Sequence, residues 1–333
     1  MLDTNLNVAG KILNGRFKAV EFALTNVCIA KCAFCKIWKQ KPKVFADSGK
    51  AKAAVERLAD FGAAHLTLTG GEPLLHPDIF EIVRLASGRK MHCSVLNAAP
   101  ELVIKNDAAK KLEDAGCSLI CLSLDSDDPH IMAESRQIEN VMAQLEQAVK
   151  IIKKTGLTVN ASVLIWKNNW DRLKSVCDAA NDIGFDFISL NYPTFSESEV
   201  YELGGDGIKM PKRDVVHALE SAVELKKTGK YKIINTVSSM KNTIDFLNDP
   251  KSVKFHCLGG SRVLFVDWFL NAYPCMQLSK PIGPILELTE EDLRLPACNA
   301  CSMSWYRDIS MLLHGAKSAP YLIKALTESF GIF

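Results

Sequence analysis

Residues 28–35 read CIAKCAFC, which places Cys28, Cys32 and Cys35 in a C-x3-C-x2-C spacing just after an apolar run at 20–25. One short loop of this spacing can wrap three corners of an iron–sulfur cube. Cysteine thiolates are the usual ligands of such clusters and a cube ordinarily takes four, so a trio with no close fourth leaves one iron for a ligand that is not protein. A zinc knuckle competes with this reading, although zinc favours paired C-x2-C units that close a tetrahedron. Further along, residues 65–69 run straight into Gly70, Gly71, Glu72 and Pro73. Two glycines free the backbone to approach a ligand, and the carboxylate can receive an ammonium group. Taken alone, these four residues also suit a simple turn.

Outward from these motifs, strand-like segments alternate with helical periodicity. The strand candidates are Val20–Thr25, His65–Thr69, His92–Asn97, Leu119–Asp125, Thr158–Trp166 and Phe187–Asn191, each β-rich or continuously apolar as buried parallel strands are. Helical stretches fall between them at Ala51–Phe61, Ile79–Ser87, Ala108–Ala115, Ile138–Lys154 and Trp170–Ile183, several ending at a glycine. Alternation of this kind predicts a parallel α/β sheet.

Cys28, Cys32 and Cys35 followed by the GGEP segment resemble the radical S-adenosylmethionine (SAM) superfamily. The resemblance implies that the trio holds a 4Fe–4S cluster, that Gly70, Gly71 and Glu72 seat the amino group of SAM, and that one electron from the cluster yields a 5'-deoxyadenosyl radical. It also selects a partial (β/α)6 TIM-like barrel, with ligands at the C-terminal ends of the strands. Phe34 matches an aromatic that packs on the adenine. Ser123 and Asp125 resemble an S-x-D signature whose polar groups contact the ribose or the substrate. Arg136 matches an arginine that pairs with the SAM carboxylate, a task that suits a guanidinium fork. By position alone, Asn97, Ser162, Asn191 and Tyr192 face the same cavity.

A second cysteine array, Cys257, Cys275, Cys298 and Cys301, follows a Lys-rich stretch at 226–232. It resembles the twitch form of the SPASM auxiliary domain, in which a C-x2-C pair and two cysteines flanking a hairpin hold a fully ligated 4Fe–4S cluster. Segments 262–265 and 268–273 supply the hairpin. The expected organisation is a barrel at 1–235 and an auxiliary-cluster domain at 236–333, with zinc as the alternative occupant of the four thiolates. A cube with four protein ligands has no open iron, so electron transfer is its expected task. The frame also resembles aminocyclitol dehydrogenases of the superfamily, which implies a two-electron oxidation. Cys93, Cys117 and Cys121 sit on or beside strands and read as buried small hydrophobes, with hydrogen-atom donation by a strand-borne thiol at the cavity as the alternative; Cys177 remains unassigned.

With 333 residues and a net charge of +2 from 40 basic and 38 acidic side chains, the chain suits one large barrel plus a small appended unit. It gives no sign of a nucleic-acid partner. No signal-peptide pattern or run of about eighteen apolar residues is present, which predicts a cytoplasmic protein with no transmembrane segment. Eleven cysteines in that compartment point to metal binding rather than disulfides. About twenty residues before Val20 are too few for a peptide-recognition domain, so a small-molecule substrate (a sugar, cyclitol or nucleoside) is expected, with peptide modification as the alternative. An external electron donor such as flavodoxin or ferredoxin is implied. A non-enzymatic electron carrier is disfavoured because it needs no SAM site. No catalytic acid, base or hydrogen donor is assigned. Apolar stripes at Ile309, Leu312 and Leu313 and at Tyr321, Leu322, Ile323, Leu326 and Phe330 read as a helix docked on the barrel.

Overall fold

In the computed structural model, which describes residues 2–193, 210–253, 255–295, 298 and 302–315, nine strands form one sheet. Six successive βα units build its parallel part: β1 (Lys18–Ala23), β2 (Ala63–Thr69), β3 (His92–Asn97), β4 (Leu119–Ser123), β5 (Thr158–Leu164) and β6 (Phe187–Asn191). The hairpin β7 (Val263–Val266) and β8 (Asn271–Tyr273), with the two-residue β9 (Gly283–Pro284), continues the same sheet in the order β6-β5-β4-β3-β2-β1-β7-β8-β9. The sheet is not closed, and the architecture is the expected partial (β/α) barrel. Strand β7 pairs in parallel with β1, Glu21 opposite Phe265, before the chain reverses into β8.

The helices are α1 (Leu2–Leu13), α2 (Ser48–Asp60), α3 (Ile79–Gly88), α4 (Pro100–Ile104), α5 (Ala108–Asp114), α6 (Pro129–Arg136), α7 (Val141–Ile152), α8 (Leu173–Ile183), α9 (Lys212–Lys227), α10 (Val237–Asn248) and α11 (Ser304–Gly315). Helix α2 shows the logic of the outer layer. Asp47 caps it by accepting the Lys50 N–H, and Ala51, Ala54, Val55 and Leu58 recur at helical spacing to form the buried face. Full burial of a Val or Leu of this kind contributes roughly 1.5–3 kcal/mol. The expected helix over 138–154 is α7, which begins only after Asn140 in left-handed backbone (φ 53°); α6, ended by left-handed Gln137 (φ 52°), is not among the expected helices.

Alternate residues of the strands divide the two faces. Leu66, Leu68, Val95, Ile120, Leu122, Val159, Ala161 and Leu190 join the helices in the main core. The opposite set is polar. His65 stacks on His92 with ring centroids 5.0 Å apart, His65 Nε2 meets Thr67 Oγ1 at 2.9 Å, and Thr67 Oγ1 meets Ser94 Oγ at 3.0 Å. Asn160 Nδ2 donates to Ser189 Oγ at 2.8 Å and reaches Cys121 Sγ at 3.7 Å. Burial lowers both histidines, His92 to about 4, so this inner face is uncharged at neutral pH. The free edge of β6 is covered: Asn235 donates to the Leu190 carbonyl at 3.0 Å and accepts its N–H at 2.7 Å, as a neighbouring strand would.

Glu21 lies on the same inner face and is 6 % exposed. Burial raises its carboxyl to about 8, against a lowering hydrogen bond with Tyr306 of α11. Because the folded-state value exceeds the ordinary 4.5, the stability linked to Glu21 is fully present below that value and is lost as pH rises through about 8. Glu21→Gln should flatten this slope, with melting temperature across the window as the measurement. An unchanged slope would assign it to other groups.

Candidate active site

The C-terminal ends of β1, β2 and β3 deliver three loops to one place. After β1, Thr25 and Val27 present carbonyls that accept from Gly71 N–H (2.7 Å) and Glu72 N–H (2.8 Å). This approach requires glycine. A Cβ at Gly70 would stand 2.4 Å from the Thr25 carbonyl oxygen, and one at Gly71 would stand 2.3 Å from that of Val27; Gly70 also has φ +123°. Glu72, fully buried, accepts from Leu74 N–H through Oε1 (3.1 Å) and from Ala98 and Ala99 N–H through Oε2 (2.9 and 3.2 Å). A carboxylate has about four acceptor positions, so three amides orient it and leave room for one further donor such as an ammonium. Burial raises it to about 7, opposed by the Ala98 and Leu74 amides and the Asn97 side chain. A cationic ligand would favour its charged form.

The cysteine loop is clamped to α6 by Lys31 N–H to the Arg136 carbonyl (3.1 Å) and Ala33 N–H to that of Ser135 (3.0 Å). Cys28 and Cys35 are half-buried and Cys32 is buried. Burial pushes Cys28 to about 12 and Cys35 to about 11, with the neighbouring acid and thiols adding to the rise. For Cys32 the Arg136 guanidinium acts in the opposite sense, its Nη1 lying 3.6 Å from Sγ. Such thiols ionise only against strong local positive charge, which iron supplies. Among the described residues no three Cys, His, Asp or Glu side chains converge on a single ion.

The structure joins residues that the sequence treats separately. Arg136 Nε pairs with Asp125 Oδ2 at 2.6 Å, both groups buried. Ser135 Oγ also donates to Asp125 Oδ2 (3.2 Å), and Leu164 N–H donates to Oδ1 (3.3 Å). With its oxygens taken by Arg136, Ser135 and Leu164, Asp125 organises the ends of β4, β5 and α6. The Arg136 guanidinium lies 5.0 Å from the Phe34 ring centre, and Phe34 meets Trp166 edge-on at 5.7 Å. Phe34 is 6 % exposed, so its contact here is with Trp166 and Arg136. Trp166 and Asn169, which donates to the carbonyls of Asp125 and Leu164 (2.8 and 2.7 Å), went unread in the sequence. Their signal was the WKNNW run at 166–170 after the fifth strand.

Across the mouth, Ser123 stands in register with Ser162, whose hydroxyl accepts from Asn191 Nδ2 at 2.9 Å. Ser304 Oγ reaches Asn191 Oδ1 (3.4 Å) and Ser302 Oγ the Pro193 carbonyl (3.0 Å), so the segment after the late cysteines docks beside β6. Tyr192 is buried, 5 % exposed. Cys257 accepts the Gly259 N–H at 3.3 Å, and a Cβ at Gly259 would stand 2.8 Å from the Pro274 carbonyl oxygen, which places Cys257 against the chain at Cys275. Burial raises the Cys257 thiol, and nearby Cys298 adds to the effect. Tyr306 lies near both Cys257 and Cys275. Cys301 and the stripe at 321–330 fall outside the described residues.

Residues 22–206, more than half of the chain, match the profile of the radical SAM superfamily. The chain belongs to that superfamily. It is 22 % identical to an AdoMet-dependent heme synthase of Methanosarcina barkeri over 81 % of this chain and 80 % of that protein. It is also 22 % identical to the antilisterial bacteriocin subtilosin biosynthesis protein AlbA of Bacillus subtilis, over 78 % of this chain but only 55 % of that protein's length. The fold is similar to that of Streptococcus suis SuiB bound to precursor peptide SuiA, with a TM-score of 0.64 and 14 % identity over 95 % of this chain and 77 % of that one. As a radical SAM protein the chain is an enzyme that uses a 4Fe–4S cluster and SAM and needs an electron donor. No helix among the described residues is long and apolar enough to cross a membrane.

Gly71→Ala should destabilise the fold by about 1–3 kcal/mol through overpacking against Val27 and abolish SAM binding, measured by thermal melting and equilibrium dialysis. Wild-type SAM affinity in the variant would show that the loop relaxes freely.

Proposed function

We propose that this radical SAM enzyme modifies a peptide. When bound, the cluster passes one electron to SAM and the resulting 5'-deoxyadenosyl radical takes hydrogen from the substrate. Cys28, Cys32 and Cys35 would hold that cluster. Gly70, Gly71 and Glu72 would receive the ammonium of SAM, and Arg136, with Nε and Nη1 engaged, would offer its remaining nitrogen to the carboxylate. Residues 236–333 would carry an auxiliary cluster on Cys257, Cys275, Cys298 and Cys301, in electron transfer.

The observation that carries the substrate class is the similarity over most of this chain to a bacteriocin biosynthesis protein, together with the fold shared with a precursor-peptide complex. The barrel mouth is compatible with it. Ser123, Ser162 and Asn191 offer neutral donors and acceptors, which suit amide groups. The expectation of a sugar substrate finds no support among the relatives, and peptide modification is preferred to it. A second reading, a tetrapyrrole substrate, is favoured by the heme synthase, which is matched over 80 % of its length.

Anaerobic reconstitution should give about eight irons per chain, falling to about four, with loss of 5'-deoxyadenosine, on triple replacement of Cys28, Cys32 and Cys35 by alanine. Unaltered SAM cleavage in that variant would refute the assignment of the trio. For the substrate, deuterated peptide mixtures, tetrapyrroles and aminosugars should be supplied separately and 5'-deoxyadenosine analysed for deuterium. Label from peptides alone is expected, and label from either of the other pools alone would overturn the peptide reading.

A further inference from the structure

Between residues 22 and 46 the chain carries five lysines and no acidic residue. Four of them, Lys36, Lys39, Lys41 and Lys43, follow the third cysteine directly. Lys39, Lys41 and Lys43 are exposed. Their partners are neutral: Lys43 Nζ donates to the Trp38 carbonyl at 2.7 Å, and Lys39 Nζ stands 4.9 Å from the Trp38 ring centre. Among the described residues no carboxylate pairs with any of the four. Three exposed lysines thus stand on one loop with no carboxylate partner among the described residues.

A cleft of about 370 Å³ opens between this loop and the turn of the β7–β8 hairpin, lined by Lys39, Gln40, Lys41, Trp268 and Phe269. Phe269 is 60 % exposed, a large ring held out into water by a turn in which Asp267 accepts its N–H. Trp268 beside it is 6 % exposed and packs in one cluster with Ile37 and the thiols of Cys28 and Cys35. The floor of the cleft thus belongs to the same apolar cluster that two of the three cysteines pack against. The polar mouth on β4–β6 lies elsewhere on the sheet.

We propose that this cleft is the docking site of the electron donor, a small acidic one-electron carrier protein whose planar redox group seats against Trp268 and Phe269 while its carboxylates meet Lys36, Lys39, Lys41 and Lys43. The carrier loses one electron and the cluster on Cys28, Cys32 and Cys35 gains it. No atom is transferred, and any proton given up by the carrier's cofactor goes to solvent. An exposed Phe269 facing the lysines of one loop across the cleft combines the apolar anchor and charged rim found at interfaces. Steering by such lysines acts on the association rate and weakens as salt shortens the Debye length. The inference rests on membership of the radical SAM superfamily and is independent of the substrate class.

The test measures 5'-deoxyadenosine formation by the reconstituted enzyme without substrate, driven either by dithionite or by flavodoxin hydroquinone. Wild-type flavodoxin-driven turnover should fall steeply as salt is raised, while dithionite-driven turnover should not. Lys39→Glu with Lys41→Glu should lower the flavodoxin-driven rate tenfold or more at low salt and leave the dithionite-driven rate and iron content unchanged. Phe269→Ser should lower the flavodoxin-driven rate with its salt dependence retained, and Lys150→Glu on α7 should change neither rate. Lys39→Gln with Lys41→Gln serves if the reversed pair folds poorly, and should give an intermediate loss. Equal losses with both reductants would make the loop merely structural, and an unchanged flavodoxin-driven rate would remove the docking site. In a parallel dithionite-driven assay with peptide supplied, a loss confined to peptide processing would assign the cleft to an acidic segment of the substrate. Any of these three results overturns the proposal.

Discussion

The backbone of Gly70 and Gly71 runs so close to the chain leaving β1 that no side chain fits at either position, and the rest of the site depends on that approach. Two hydrogen bonds, Gly71 to Thr25 and Glu72 to Val27, fix the height at which the cysteine loop begins. The Glu72 carboxyl then reaches the amides of Ala98 and Ala99 after β3, so three successive βα loops are tied by one residue. A carboxyl raised to about 7 is held in place by amides that could serve it equally well ionised. Burial disfavours the charged carboxylate and a cationic ligand would favour it, so the site is arranged to receive a cation.

The Asp125–Arg136 pair does the corresponding work on the other side of the loop. Taking two charges out of water is costly, and such a pair contributes little net stability compared with apolar residues of similar size. Its value lies in direction. Asp125 holds the guanidinium where one nitrogen faces Cys32, and the plane of the guanidinium covers Phe34, so one buried cation both stiffens the loop and offsets the charge of a thiolate. The carbonyls of Ser135 and Arg136 accept from Ala33 and Lys31, which makes the end of α6 the wall against which the trio is folded.

Much of this was legible in the sequence, for reasons that also mark where legibility ended. All six barrel strands were found because parallel strands covered by helices are rich in apolar residues; β3 and β6 have the bounds that were read. The polar alternation inside them was overlooked. His65, Thr67 and Thr69 on β2, Asn160 and Ser162 on β5, and Ser189 and Asn191 on β6 recur at every second position, the mark of a strand with a polar concave face. The short helices α4 and α6 were both missed, because five and eight residues carry too little periodicity to register. The union of Asp125 with Arg136 spans a turn and a helix, and pattern alone does not distinguish that partner from a ligand. Sequence spacing likewise grouped the late cysteines without revealing that the hairpin between Cys257 and Cys275 extends the barrel sheet itself.

That continuity bears on how electrons and substrate share the molecule. Strand β7 lies directly against β1, so the hairpin and the cysteine loop are neighbours, and Trp268 belongs to the apolar cluster that Cys28 and Cys35 pack against. The mouth formed by Ser123, Ser162 and Asn191 lies on β4–β6, with β2 and β3 between. The segment that follows the late cysteines returns to β6 through Ser302 and Ser304, bringing the C-terminal region to the substrate side as well. A donor held at the β1–β7 side and a substrate held at β4–β6 would therefore not compete for one opening. An open sheet leaves two approaches to the same cluster, one for charge and one for chemistry, and a closed ring of eight strands would leave fewer.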